Sequence, residues 1–234
     1  MVDNVHPHGS PRQRTERELE PLRPSNLIRI MPAKEVKPVL PRLFCLVSSA
    51  DDLALLPALA ETGVDGFQVR DKVATTRELV ELTRVVRAFV EVYGAIVVVD
   101  DRVDVALATG AAGVHLGAED LPVREARRIA PGLLIGATCR DHDQVVAAAA
   151  DGADYAGFGP LFATSSKDGL PSPLGVDALE AACGTLPLIG IGGLDADRAA
   201  AARSAGAHGV AVIGALWRQP DPVLAAKELV AAVA

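Results

Sequence analysis

Two acidic clusters stand at the ends of consecutive apolar runs in the stretch Val97 to Leu121, VVVDDRVDVALATGAAGVHLGAEDL. Asp101 and Asp120 lie nineteen positions apart, with room for one short helix between them. In a parallel α/β fold the strand ends converge on one face, so the two carboxylates can arrive side by side. Two oxygen ligands in such a cleft suit a hard cation such as Mg²⁺ holding a substrate phosphate. Helix capping is the structural alternative for both residues. It suits Asp101 better, because that residue immediately precedes a helical segment. Pro122 at a first helical position would make Leu121 the cap and leave Asp120 without that task.

Three further stretches carry groups suited to anions. In QVRDK the two-residue period of a strand puts Gln68 and Arg70 on one face, with Lys72 just beyond it. A buried Arg is costly unless it meets an anion, so Arg70 is expected either to grip a phosphate or to pair internally with Asp101 or Asp120. The stretch GFGPLFATSSKDGLPSPLG is long for a connection between a strand and a helix, and Thr164, Ser166 and Lys167 would supply hydroxyls and a cation there. Nearer the C-terminus, GIGGL and VIGAL follow two more apolar runs. Gly193 and Gly214 would let backbone N–H groups approach an anion closely. His115 reads as a hydrogen-bonded core residue, and Tyr155 and Trp217 as packing residues.

These stretches are spaced by a regular alternation. From Arg42 onward short β-branched runs alternate with Ala- and Leu-rich amphipathic segments, the pattern of βα units around a parallel sheet. Strands are expected at 43–48, 66–70, 95–100, 113–116, 133–138, 155–159, 187–190 and 209–213. Helices are expected at 52–62, 76–92, 103–109, 123–130, 143–151, 176–183, 197–205 and 222–233. Thr75 with Glu78 makes a capping box, and Gly63, Gly94, Gly110, Gly152 and Gly206 fall just past helix ends. Eight units in one direction, with no Gly-rich loop after the first strand, favour an α/β fold of the (βα)₈ TIM-barrel type over an open doubly wound sheet. The chain is therefore read as one catalytic domain over residues 42–234, preceded by a flexible arm over 1–41. That arm is rich in Pro, Arg, Glu and His and poor in large apolar residues, so it is expected to be mobile, and Met31 offers an alternative start of translation.

Composition narrows the partners. The 234 residues carry a formal net charge of −7 and only 3% aromatic residues, which argues against nucleic acid and against a base-stacking platform. The three cysteines, Cys45, Cys139 and Cys183, are far apart and lack metal-ligand spacing, so they read as free thiols of a reducing compartment. No apolar run is long enough to span a membrane, and the N-terminus lacks the order of a secretory signal, so a cytoplasmic protein is expected. Homo-oligomerisation stays open.

Taken together, QVRDK, DDRVDVAL, GVHLGAEDLP, GPLFATSSK and GIGG with the later GVAVIGA agree in order and spacing with one family. From about Leu43 to Leu216 the chain resembles the thiamine-phosphate synthases. The resemblance implies a transferase that joins an aminopyrimidine-methyl diphosphate to a thiazole phosphate and releases diphosphate. It also implies that Gln68 faces the pyrimidine, that Arg70, Lys72 and Lys167 face the diphosphate, and that Asp101 and Asp120 hold its Mg²⁺. Thr138 stands where the family has a serine near the pyrimidine and the diphosphate. Gly193, Ile213 and Gly214 would bind the thiazole phosphate through backbone N–H groups, with Thr164 and Ser166 near the thiazole. The family's Asn-Asp pair is Asp100-Asp101 here, which puts a negative charge beside the diphosphate site. The His after the fifth strand is Arg140, and the serine after the eighth is Gly214. Two alternatives accompany this reading: a thiazole tautomerase on the same scaffold, which would need a proton shuttle near Arg140 or His142, and a non-catalytic paralogue that binds thiamine phosphates.

Overall fold

Eight parallel strands pair in chain order, and the eighth returns to the first to close a barrel. The computed structural model describes residues 38–164 and 171–234. The strands are β1 (Leu43–Val47), β2 (Gly66–Val69), β3 (Ile96–Asp100), β4 (Gly113–Leu116), β5 (Leu134–Cys139), β6 (Tyr155–Phe158), β7 (Leu188–Ile191) and β8 (Gly209–Val212). The helices around them are α1 (Leu56–Glu61), α2 (Thr76–Val90), α3 (Val103–Thr109), α4 (Val123–Ile129), α5 (His142–Asp151), α6 (Val176–Ala182), α7 (Ala196–Ser204), α8 (Gly214–Trp217) and α9 (Pro222–Val233). The (βα)₈ architecture expected from the alternation is the one observed.

Alternation along each strand explains why nearly every strand residue is buried. Residues such as Phe67, Val69, Val97 and Val99 face outward and pack under the helices. Phe44, Leu46, Val98, Leu134, Tyr155, Ile189 and Ala211 face inward and fill the barrel. The inner wall is also rich in glycine, and two of those glycines make room for ring side chains. A Cβ at Gly136 would run into the Tyr155 ring, and one at Gly157 would come within 2.7 Å of His115. Leu40 packs on the same inner cluster, Pro41 is buried, and His208 bonds the Leu40 carbonyl at 3.0 Å. Packing onto the barrel thus starts before residue 42. The rest of the expected arm, with Met31, lies outside the described residues.

Local chemistry sets most helix ends. Thr75 and Glu78 close the expected capping box on α2. Asp141, Asp195 and Asp221 cap α5, α7 and α9 by accepting backbone N–H groups of the first turn. Gly63, Gly94, Gly110, Gly152 and Gly206 all take the positive φ that the turns out of their helices require.

Some expectations need correction. The first helical segment divides into a 3₁₀ turn at Leu53–Leu55 and α1, with Pro57 in the first turn of α1, where its missing N–H costs least. Strand β5 runs one residue later than expected, so Thr138 is an internal strand residue. A four-residue helix, α8, follows β8; so short an element leaves no periodic signature, and the Trp217 indole secures it by donating to the Leu46 carbonyl at 2.7 Å. The three cysteines are free. Among the described residues no helix is long and apolar enough to cross a membrane.

Candidate active site

The C-terminal ends of the strands open into a cavity of about 760 Å³. Its β2–β4 side is built from ionic side chains. Gln68, in β2, is buried and donates through its amide nitrogen to Asp100 Oδ1 at 2.6 Å. Arg70 follows β2, and its Nε lies 3.2 Å from Asp100 Oδ2. That distance makes an ion pair, yet the N–H is not aligned for a hydrogen bond, and among the described residues it is the buried side-chain nitrogen left without one. The internal partner of Arg70 is therefore Asp100, not Asp101 or Asp120. Adjacent carboxylates explain the choice: Asp100 ends β3 beside β2 and points inward, whereas Asp101 is turned away to meet Lys72.

Asp101 has φ 63°, the one positive φ of a non-glycine residue among those described. Asp tolerates this left-handed conformation better than most residues, but it still costs energy, and such strain gathers at functional sites. Its backbone N–H donates to the His115 carbonyl at 2.8 Å, and its carboxylate pairs with the Lys72 ammonium. Arg102, without a side-chain capping bond, is the N-terminal boundary of α3, so Asp101 is not a helix cap. Asp120 accepts the Gly117 N–H at 2.7 Å and shares a hydrogen bond with Asp101. Pro122 itself, not Leu121, bounds α4 on its N-terminal side, one position later than expected, and Asp120 has no capping role there.

The electrostatics follow from this crowding. Burial works against the charged form of Asp101, but the Lys72 ammonium and the hydrogen bond from Asp120 outweigh it and hold Asp101 below the usual carboxylate range. Burial and the shared hydrogen bond with Asp101 push Asp120 the other way, above that range. Two carboxyls in contact behave as a pair that retains a proton more readily than either alone. Burial would lower Lys72, yet Asp101 and Asp100 together raise it. Asp100 is the most enclosed of the three carboxylates, and Gln68, Arg70 and Lys72, 3.4 Å away, surround it.

The β6–β8 side is built from backbone. Gly192 and Gly193 follow β7 with φ 97° and 65°. A Cβ on Gly193 would lie 2.9 Å from Phe162 Cβ and collide with the Ala163 carbonyl, so only glycine fits there. The start of the long connection after β6 is fastened to this turn: Leu161 and Phe162 donate backbone N–H groups to Ile191 and Gly192. Arg198 of α7 donates to the Gly193 carbonyl at 2.7 Å and lies over the Phe162 ring. Ile213 and Gly214 join β8 to α8, and both line the cavity with Thr164 and Gly193. Ser166 and Lys167 lie outside the described residues.

Between these two sides sits Thr138, exposed to the cavity, with its hydroxyl 3.1 Å from His115 Nε2. His115 reaches Tyr155 with its other ring nitrogen. The sequence reading of His115 as a hydrogen-bonded residue holds, but the ring also lines the cavity. The signal was present in the alternation of β4, which turns Gly113, His115 and Gly117 inward together. Arg140 is committed to the backbone, donating to the Gly159 and Ser172 carbonyls, and His142 is exposed at the first residue of α5.

Comparison with known proteins decides the family. Residues 38–216 match the family model described as thiamine monophosphate synthase. The chain belongs to this family. It is 48% identical over 181 residues to the thiamine-phosphate synthase of Methanoculleus marisnigri, covering 76% of this chain and 85% of that one. It is 45% identical over 190 residues to the thiamine biosynthesis bifunctional protein ThiM/ThiE of Symbiobacterium thermophilum, matching 80% of this chain but spanning only 40% of that longer protein. Among solved structures, the thiamine phosphate pyrophosphorylase from Pyrococcus furiosus superposes with a TM-score of 0.75 at 34% identity, over 82% of this chain and 95% of that chain.

Proposed function

We propose that this protein couples an aminopyrimidine-methyl diphosphate to a thiazole phosphate, giving thiamine phosphate and diphosphate. The observation that carries the reading is the convergence of Gln68, Arg70, Lys72, Asp101, Asp120 and Thr138 on one cavity that also holds the Gly193 and Gly214 turns, in a chain of this family. The pyrimidine diphosphate lies on the β2–β5 side, with Gln68 and Thr138 toward the ring and Arg70 and Lys72 toward the diphosphate. Lys167 joins those cations and Ser166 the thiazole side, by the family resemblance. The thiazole phosphate rests on backbone N–H groups of Gly193, Ile213 and Gly214, with Thr164 beside the thiazole.

The chemistry asks little proton transfer of the protein. The bond between the pyrimidine methylene carbon and the diphosphate oxygen breaks, and its electron pair leaves with the diphosphate. The amino-substituted ring spreads the resulting positive charge. The lone pair of the thiazole nitrogen then forms the new carbon–nitrogen bond. That nitrogen carries no proton, so no general base is needed. The task left to Arg70, Lys72 and Lys167 is to neutralise charge that grows on the leaving group.

The residues present suit a divalent cation. No group of three or more His, Cys, Asp or Glu side chains is placed to hold a metal among the described residues, but Mg²⁺ is commonly bound by one or two carboxylates plus substrate phosphates. Asp101 and Asp120 are such a pair, and two carboxyls forced to share a hydrogen bond are relieved by a cation between them. Bound there, Mg²⁺ would supply Lewis-acid neutralisation of the departing diphosphate.

The test is diphosphate release by the purified chain with each substrate alone, with both, and with and without Mg²⁺. Release that needs both substrates and the metal, with thiamine phosphate appearing in equal amount, is expected. Release without the thiazole phosphate, or none with all three present, would overturn the reading.

A further inference from the structure

Tyr155, His115 and Thr138 form a line of polar groups from the barrel interior to the cavity. Tyr155 is fully enclosed, its ring stacked on Phe44 at 5.9 Å and seated over Gly136. Its hydroxyl lies 3.2 Å from His115 Nδ1, its one hydrogen-bond partner among the described residues. His115 Nε2 lies 3.1 Å from the Thr138 hydroxyl, which likewise has no other partner among the described residues. The His115 ring is held in place by the Tyr155 ring at 5.6 Å and by the space at Gly157.

The order of donors along this line is set at its buried end. Burial pushes the Tyr155 phenol up, so it carries its proton. Among the described residues that proton has one acceptor within reach, His115 Nδ1. If Nδ1 carried a proton, in either the other neutral tautomer or the charged ring, the phenol would have to accept, and its own buried proton would be left without a partner among the described residues. The phenol therefore donates, Nδ1 accepts, and Nε2 holds the imidazole proton. Nε2–H then donates to the Thr138 oxygen, and the Thr138 O–H is directed into the cavity.

We propose that Tyr155 and His115 are positioning residues that fix the Thr138 hydroxyl as a hydrogen-bond donor to an acceptor atom of the pyrimidine diphosphate. This rests on the proposed reaction for the identity of the ligand, but not for the order of the hydrogen bonds. A donor fixed in advance discriminates in favour of an acceptor at that point and against a ligand presenting an N–H there, because two donors would then face each other. The chain's Thr in place of the family's serine keeps the hydroxyl. Its extra methyl also limits the rotation by which the O–H could turn away.

Two measurements on the full chain test this. The first is a long-range proton–nitrogen correlation spectrum of histidine-labelled protein without ligand, with the His115 signals assigned by their loss in His115→Asn. The Nε2–H tautomer is expected in the wild type, and a mixture of tautomers in Tyr155→Phe. A proton on Nδ1 in the wild type, or a tautomer unchanged by Tyr155→Phe, would overturn the relay. The second is calorimetric binding of the pyrimidine diphosphate. Tyr155→Phe and Thr138→Val should each weaken it about tenfold, the worth of one hydrogen bond, and the double variant should be no weaker than either. Thr138→Ser should stay within about twofold of wild type, since it keeps the donor. Additive losses in the double variant, or wild-type affinity in Tyr155→Phe, would overturn it. A wild-type chain that binds no pyrimidine diphosphate would overturn the proposed reaction and the identity of the ligand, while the tautomer would still decide the relay.

Discussion

On the proposed reaction, the two sides of the cavity would meet phosphate by different physics. The β2–β4 side uses side chains: Arg70 and Lys72 face Asp100, Asp101 and Asp120, and every charge already has a counter-charge nearby. The β7–β8 side uses turns in which Gly192 and Gly193 take positive φ. Full side-chain charges suit a group that departs, because they offset the negative charge that builds on the leaving diphosphate. Fixed backbone dipoles suit a phosphate that stays on its substrate throughout. The ionic side should therefore be sensitive to charge and salt, and the glycine side to volume and backbone shape.

Removing a carboxylate of the ionic side separates the two most sharply. Asp120→Ala should lower Mg²⁺-dependent turnover about a thousandfold, the scale of losing a metal's charge stabilisation. The fold should be intact by circular dichroism, and affinity for the thiazole phosphate nearly unchanged. Wild-type activity in that variant would remove Asp120 from the site. Gly193→Ala is the counterpart on the other side. A side chain at φ 65° is strained, and its Cβ meets backbone, so the KM for the thiazole phosphate should rise about tenfold or more. The affinity for the pyrimidine diphosphate should not move, and an equal loss for both ligands would show that the sides are not separate.

A smaller effect is expected from charge alone. Asp100 holds Arg70 and Lys72 in the free protein, so Asp100→Asn should release both toward the diphosphate. The KM for the pyrimidine diphosphate should fall severalfold at low ionic strength, and the gain should shrink in salt. A rise in KM would mean that Asp100 orders Arg70 more than it competes for it. Deleting residues 1–30 should leave the melting temperature unchanged and the rate within about twofold, because the sequence of that segment is poor in large apolar residues. A large loss of either would give the arm a structural role.

Much of this molecule is visible along one dimension. Eight alternating βα units, the Thr75–Glu78 box and the glycines after the helices are local signals, because capping and left-handed turns depend on a few adjacent residues. The pairing of Asp101 with Asp120 was also legible, since parallel strand ends must share a face. Three features were not. Asp100 as the partner of Arg70 depends on which of two adjacent carboxylates points into the barrel, and that is settled by the register of β3, whose alternation turns Val98 and Asp100 inward. The helix α8 is held by a bond from Trp217 to Leu46, across most of the chain, so no local pattern announces it.

His115 shows the limit most plainly. Its type and the alternation of GVHLG mark a polar residue facing the inside of the barrel, and nothing more. What it does depends on Tyr155 and Thr138, 40 and 23 residues away in sequence, and on glycines whose missing side chains admit the rings. The sequence determined which strands and turns form and which groups reach the barrel mouth, because propensity, capping and alternation act over short range. The tertiary structure alone decided which of those groups face one another, because distances across a closed barrel are set by strand register and packing, which no single segment encodes.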